Sequence, residues 1–179
     1  LVEQFIPGRE FAIGLIGNKD PEVFPLLEID LAGDPNAIQS LEDKLKRPKN
    51  KICPSIIDEN LANELRRLTK ETAKVLGIYD FCRVDYRLDN DGNLYILELN
   101  SMASLGLTGS YVHAAKVAGY TFETMVNRML DVAVERYFGS QQMDQVAVEE
   151  SQSKAKKDPL RIRLRSYLRG NLGTMEEDL

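Results

Sequence analysis

Residues 81–110 read FCRVDYRLDNDGNLYILELNSMASLGLTGS. Two alternating runs flank Asp91-Gly92, a dipeptide that suits a two-residue hairpin turn because both central positions take positive φ. With Asn90 and Asn93 flanking that turn, Leu88 faces Tyr95, Tyr86 faces Leu97 and Val84 faces Leu99. These apolar side chains share one face and bury against a core. The other face places Asp85 opposite Glu98 and Arg83 opposite Asn100, with Arg87 and Ile96 nearer the turn. Two carboxylates about 5 Å apart repel by roughly 3 kcal/mol at an effective dielectric of about 20, so something positive belongs between them. Carboxylates with an amide oxygen form a hard-oxygen set suited to Mg2+, which makes Asp85, Glu98 and Asn100 a candidate metal site. A solvated ion network neutralised by Arg83 and Arg87 is the competing reading. An EF-hand loop fits Asp89, Asp91, Gly92 and Glu98 but fails at Arg87, which would be the first ligand, and its flanks alternate as strands do.

Around this hairpin, 179 residues with 43% hydrophobic content suffice for a proper core. A net charge of −5 and a pI near 5.1 argue against a nucleic-acid surface. No apolar run approaches a membrane span and residues 1–3 do not open a signal peptide, so the expectation is a soluble, cytoplasmic protein. Cys53 and Cys82 are too few for a disulfide framework and are expected to be reduced thiols. The abrupt start in an apolar run is expected of a piece cut from something longer.

Residues 2–6 read as a short strand, Pro7-Gly8 as a turn, and residues 10–16 as a strand pairing with residues 24–29. Residues 30–57 read as irregular, with a short helical turn near residues 37–44 and a basic run (Lys44, Lys46, Arg47, Lys49, Lys51) that would suit phosphate or simply solvent. Asp58 caps a helix to about Leu76 with Leu61, Leu65, Leu68, Thr72 and Val75 inward, and Gly77 closes it. The small, hydroxyl-bearing loop 101–110 lets backbone amides approach an anion, or merely links strand to helix. His113, the only histidine, has a structural reading. Thr121 caps a helix to about Phe138 with Phe122, Met125, Val126, Met129, Leu130, Ala133 and Tyr137 inward. Residues 140–157 read as a flexible linker and 158–179 as a basic helical tail whose arginines face solvent or an acidic partner.

Taken together and in this order, VEQFIPGRE at residues 2–10, Lys44, CRVDYRL at 82–88 and LYILELN at 94–100 resemble the carboxy-terminal lobe of the ATP-grasp superfamily, closest to the D-alanine-D-alanine ligases and related carboxylate-amine ligases. The resemblance implies an α+β lobe over residues 1–139, an antiparallel sheet with packed helices that binds Mg-ATP. It implies that Asp85, Glu98 and Asn100 hold Mg2+ and that Arg83 stabilises the acyl phosphate and tetrahedral intermediate. Glu3, Phe5, Ile6 and Leu97 would surround the adenine, Glu10 would hold the ribose, Lys44 would contact phosphate, and Ser101, Ser104, Leu105 and Gly106 would form the substrate loop. Amino acids or peptides are the implied substrates, amino-terminal and central subdomains the implied missing partners, and a homodimer is compatible. Ser101, Ala103-Ser104 and Gly109-Ser110 depart from the family pattern, as does Leu45, which leaves the carboxylate and amine open. A non-catalytic nucleotide-binding module of the same shape is the alternative.

Overall fold

The computed structural model describes residues 2–34, 36–38 and 49–139. Lys44, most of the basic run, the expected linker and the expected tail lie outside the described residues. The chain divides into two compact units after Met125.

The first unit is built on an antiparallel sheet of β1 (Arg9–Ile16), β2 (Glu22–Val23), β3 (Leu27–Ile29), β4 (Lys51–Ile52), β5 (Phe81–Leu88) and β6 (Leu94–Asn100), in the order β4-β3-β1-β5-β6, with β2 also pairing β1. Phe24 and Pro25 divide the strand expected at 24–29, since a proline cannot donate to the ladder. Residues 2–6 form no strand, against expectation. Gly8, at φ 127, turns the chain so closely past the carbonyl of Leu88 that a side chain there would collide with it, and β1 begins only after that bend.

One sheet face buries Phe11, Ile13, Leu15, Cys82, Val84, Tyr86 and Leu88 with the helix α1 (Glu59–Val75). The carboxylate of Asp58 accepts from the amide of Leu61 at 3.0 Å, as an N-cap should. At the other end Gly77, at φ 63, donates to Lys74 O and Ile78 donates to Ala73 O, the Schellman pattern. The buried stripe differs from the expected one: Ala62, Leu65, Thr69 and Ala73 face the sheet, Leu61 and Leu68 flank it, and Val75 is 83% exposed. Small residues bring the helix close enough for the Thr69 hydroxyl to meet Tyr86 Oη at 2.9 Å, in addition to donating to Leu65 O. Cys82 is fully buried and its thiol is pushed up to about 11 by desolvation, as befits an unreactive core thiol.

The opposite face carries α2 (Ser110–Val117) at one end. Gly14 makes this possible: a Cβ there would stand 2.8 Å from the Phe24 ring and 3.0 Å from that of Tyr111. Tyr111 packs with its ring tilted against those of Phe24 and Phe81 and donates to Leu15 O at 3.1 Å.

α3 runs from Phe122 to Phe138 and crosses the division. Thr121 and Thr124 cap its start reciprocally, each amide donating to the other's hydroxyl. Met125 and Met129 are buried as expected and Val126, Leu130 and Ala133 are half-buried, but Phe122 and Tyr137 are exposed, and Val132 and Val134, outside the expected stripe, are buried. No helix among the described residues is long and apolar enough to cross a membrane.

Candidate active site

The hairpin that carries the site turns by a different route from the one expected. Asp89 O accepts from Gly92 and the Asp89 amide donates to Asn93 O, so the loop has three residues, Asn90 to Gly92, and only Gly92 takes positive φ. The Asp89 carboxylate favours this shape by accepting from the amides of Asp91 and Asn93 and from the Asn93 side chain. The near half of the ladder is displaced accordingly, pairing Leu88 with Leu94, Arg87 with Tyr95 and Tyr86 with Ile96. A bulge beyond Tyr86 restores the expected register, so that Asp85 faces Glu98, Val84 faces Leu99 and Arg83 faces Asn100. Leu97 has no partner in the ladder and is 49% exposed.

On the face shared with α2, Arg83 grips Asp85 with two prongs, Nε to Oδ1 at 2.6 Å and Nη2 to Oδ2 at 2.7 Å. Arg83 Nη2 is 4.0 Å from Glu98 Oε1. The Asn100 amide donates to Glu98 Oε1 at 3.0 Å and to Asp85 Oδ2 at 3.3 Å. All four side chains therefore meet, as the alternation predicts. Arg83 and Asp85 are mostly buried, while Glu98 is 58% exposed.

Burial raises the Asp85 carboxyl above its ordinary range; Arg83 pulls it down, and Glu98 pushes it up again. For Arg83, burial works downward, but the bond to Asp85 and the charges of Asp85, Glu98 and Glu10 win and raise it. Hence the guanidinium is firmly charged yet does not fully balance the carboxylates around it. The ion network of the competing reading is present here, and it leaves the cluster acidic: Arg83 alone stands against Asp85 and Glu98, while Arg87 pairs with Glu10. Among the described residues, no three His, Cys, Asp or Glu side chains gather as a metal site. The set that would hold a cation is two carboxylates and one amide, which turned end for end presents its oxygen.

Arg87 is the residue whose importance the sequence reading missed. It is 3% exposed and donates to Gly8 O at 3.0 Å, Ala37 O at 2.8 Å and Glu10 Oε2 at 3.0 Å, with the Phe5 ring 5.8 Å away. Its direct pairing with Glu10 across β1 and β5 is what ties residues 5–10 to the site face. Glu3 and Phe5 are exposed, Ile6 is half-buried, and Glu10 is largely buried by its pairing. In the loop after Asn100, Ala103 is buried, Leu105 is half-buried, and Ser101, Ser104 and Gly106 are exposed.

An antiparallel sheet with helices on both faces and an acidic, arginine-anchored cluster on its last two strands defines the class: the carboxy-terminal lobe of the ATP-grasp fold. The family described as D-ala D-ala ligase C-terminus matches residues 1–131, and the chain belongs to it. It is 39% identical over 144 residues to protein y4sG of Sinorhizobium fredii, covering 78% of this chain and 42% of that protein. It is 33% identical over 136 residues to the D-alanine-D-alanine ligase of Pelotomaculum thermopropionicum, covering 75% and 42%. Among solved structures, the D-alanine-D-alanine ligase from Coxiella burnetii superposes with a TM-score of 0.61 at 16% identity over 86% of this chain and 39% of that one. The Bacillus anthracis enzyme complexed with ATP gives 0.58 at 14% identity over 74% and 39%. These structures share the fold, and the chain spans well under half the length of the relatives it matches.

Proposed function

We propose that this chain is the Mg-ATP-holding lobe of an ATP-dependent ligase that activates a carboxylate as an acyl phosphate and joins it to an amine. The observation that carries this reading is the cross-strand pair Asp85 and Glu98, bonded through Asn100 and anchored by Arg83, a partly buried cluster in which two carboxylates exceed one guanidinium in charge. That excess and the hard-oxygen donors fit Mg2+, which Asp85, Glu98 and Asn100 would hold. When bound, the ion screens the phosphates and makes the γ-phosphoryl group more electrophilic.

The chain's own residues do the rest. Arg83 offers charged donors to the oxygen on which negative charge develops, and its bidentate anchor on Asp85 fixes their direction in advance. Glu10, held by Arg87, would accept from ribose hydroxyls. Glu3, Phe5, Ile6 and Leu97 would surround the adenine, and the half-exposed Phe5 and Leu97 supply apolar surface for it. Lys44 would contact phosphate from its segment. Amides and hydroxyls of Ser101, Ser104, Leu105 and Gly106 would receive a small amino acid or peptide. The complete reaction is proposed for a protein in which this lobe stands with the remainder of such a ligase, including the amino-terminal and central subdomains.

Isothermal titration of the chain with ATP, with and without Mg2+, tests the lobe. Magnesium-dependent binding that Glu98→Gln weakens at least tenfold is expected, and binding unaffected by that change sinks the metal assignment. ADP release by the complete ligase, measured against pairs of amino acids and short peptides, tests the reaction. ATP binding without release for any pair would shift the reading to a non-catalytic nucleotide-binding module.

A further inference from the structure

Lys51 is the one member of the basic run seated in the sheet among the described residues, and its position has a consequence for the loop that follows Asn100. On β4 it pairs with Ile29, which pairs with Glu10, which pairs with Arg87. Directly opposed residues project to one face, so Lys51 lies on the face that carries Asp85 and Arg83. Its Nζ donates to Thr108 O at 2.6 Å, a contact spanning 57 residues.

β4 and β6 are the opposite edges of the sheet. The loop leaving β6 at Asn100 must therefore travel across the site face before Thr108 can meet a side chain rooted on β4. The distance from edge to edge is about 19 Å at the usual strand spacing, within the roughly 27 Å that residues 101–108 can span. Within the loop, Gly106 donates to Ser104 Oγ at 3.3 Å and Gly109 donates to Gly106 O at 2.7 Å. Buried Ala103 pins the near end, while Met102 and Leu107 are 86% and 76% exposed. The far end has its tie in Lys51. Desolvation lowers the Lys51 ammonium below its ordinary range, which fits a side chain drawn in under the loop.

We propose that Lys51 is a positioning residue that fastens the loop 101–109 as a strap across the site face, fixing how far its amides and hydroxyls stand from the bound phosphoryl and acceptor groups. The ammonium acts through Thr108 and touches no reacting atom. This role rests on the reading of the face as a phosphate and substrate site, while the tether itself can be tested without it.

Hydrogen exchange by mass spectrometry on the chain compares wild type, Lys51→Met and Lys51→Arg. Lys51→Met should speed exchange of amides in residues 103–110 by about tenfold or more, as expected for loss of a charge-assisted bond. Residues 9–16 and 81–88 should be unchanged, and Lys51→Arg should restore protection. In the complete ligase Lys51→Met should raise the Michaelis constant of the amine or carboxylate substrate several-fold more than it lowers kcat, with the Mg-ATP dissociation constant unchanged. Unchanged exchange in residues 103–110 overturns the tether whether or not ATP binds. Acceleration spread equally through the sheet also overturns it, since that is loss of stability. Normal exchange behaviour with no Mg-ATP binding by the wild type overturns instead the reading of the face on which the positioning role rests.

Discussion

Asp85 faces Glu98 across the β5–β6 ladder, whereas Tyr86, the next residue, faces Ile96, so that Leu97 stands between them as a bulge. The bulge offsets the three-residue turn at Asn90 to Gly92. Without that cancellation, a register set by the turn alone would move one strand's chemical residues to the other face. The turn and the bulge therefore belong to the site as much as the side chains do.

The first prediction concerns protonation. Burial and Glu98 hold the Asp85 carboxyl above its ordinary value of 3.8, against the pull of Arg83. A carboxyl raised in the folded state binds its proton more readily there than in the unfolded chain, so its contribution to stability falls as pH rises through the window above 3.8. The proposed binding of Mg2+ would need the carboxylate and should change oppositely, weakening on acidification through the same window. An NMR titration of the Asp85 carboxyl carbon checks this: its midpoint should lie above 3.8, move down in Glu98→Gln and move up in Arg83→Gln. A midpoint at or below the ordinary value would remove the argument for excess negative charge.

Arg83→Lys keeps a positive charge but cannot make the two parallel bonds to Asp85. On the proposed function, the charge should still support ATP binding to within a few-fold, whereas kcat of the complete ligase should fall by roughly 100-fold or more, the scale of a lost oxyanion donor. Equal losses in binding and turnover would make Arg83 a ground-state ligand instead.

Gly14→Ala tests what seats α2 on the site face. The added methyl would meet the Phe24 and Tyr111 rings at 2.8 and 3.0 Å, and both rings are fully buried and unable to yield. A loss of about 1–3 kcal/mol by denaturant unfolding is expected of such overpacking. An unchanged midpoint would show that the rings are looser than their burial implies.

How far the sequence carries can be seen in these same residues. Period-two alternation is enough to bring Arg83, Asp85, Glu98 and Asn100 to one face, because a strand has only two faces. It cannot reveal the bulge at Leu97, since whether Asp91-Gly92 turns in two residues or three depends on the Asp89 carboxylate accepting several amides at once. The two-residue strand at Lys51 is too short to have a period, and its place on the edge comes from pairing with β3. On α1 the hydrophobic pattern favours Leu68 and Val75, while packing selects Ala62, Thr69 and Ala73 beside Leu65, small residues that bring the helix close to the sheet. Arg87 read as one charge among several near a turn. Its burial arises from contacts with Gly8, Glu10 and Ala37, which lie 79, 77 and 50 residues away, and no local pattern encodes them.

Arg87→Met is the most informative test of that last point. The guanidinium is almost wholly buried and joins the amino-terminal segment at Gly8, the irregular segment at Ala37 and the carboxylate of Glu10. Methionine fills much of the same volume but leaves two carbonyl oxygens short of a donor and Glu10 without its cross-strand charge. Breaking one side of a buried pair costs about 3–5 kcal/mol, so a large drop in the unfolding midpoint is expected. Glu10→Gln combined with Arg87→Met removes the abandoned charge, and the double variant should recover part of the loss. Equal instability in single and double variants would show that the two backbone carbonyls, and not the ion pair, are what Arg87 is needed for. With Glu10 in the proposed ribose position, the single Arg87→Met variant should also bind ATP less tightly at temperatures where it remains folded. Undiminished affinity there would detach the Glu10 pairing from nucleotide binding and leave it a purely structural one.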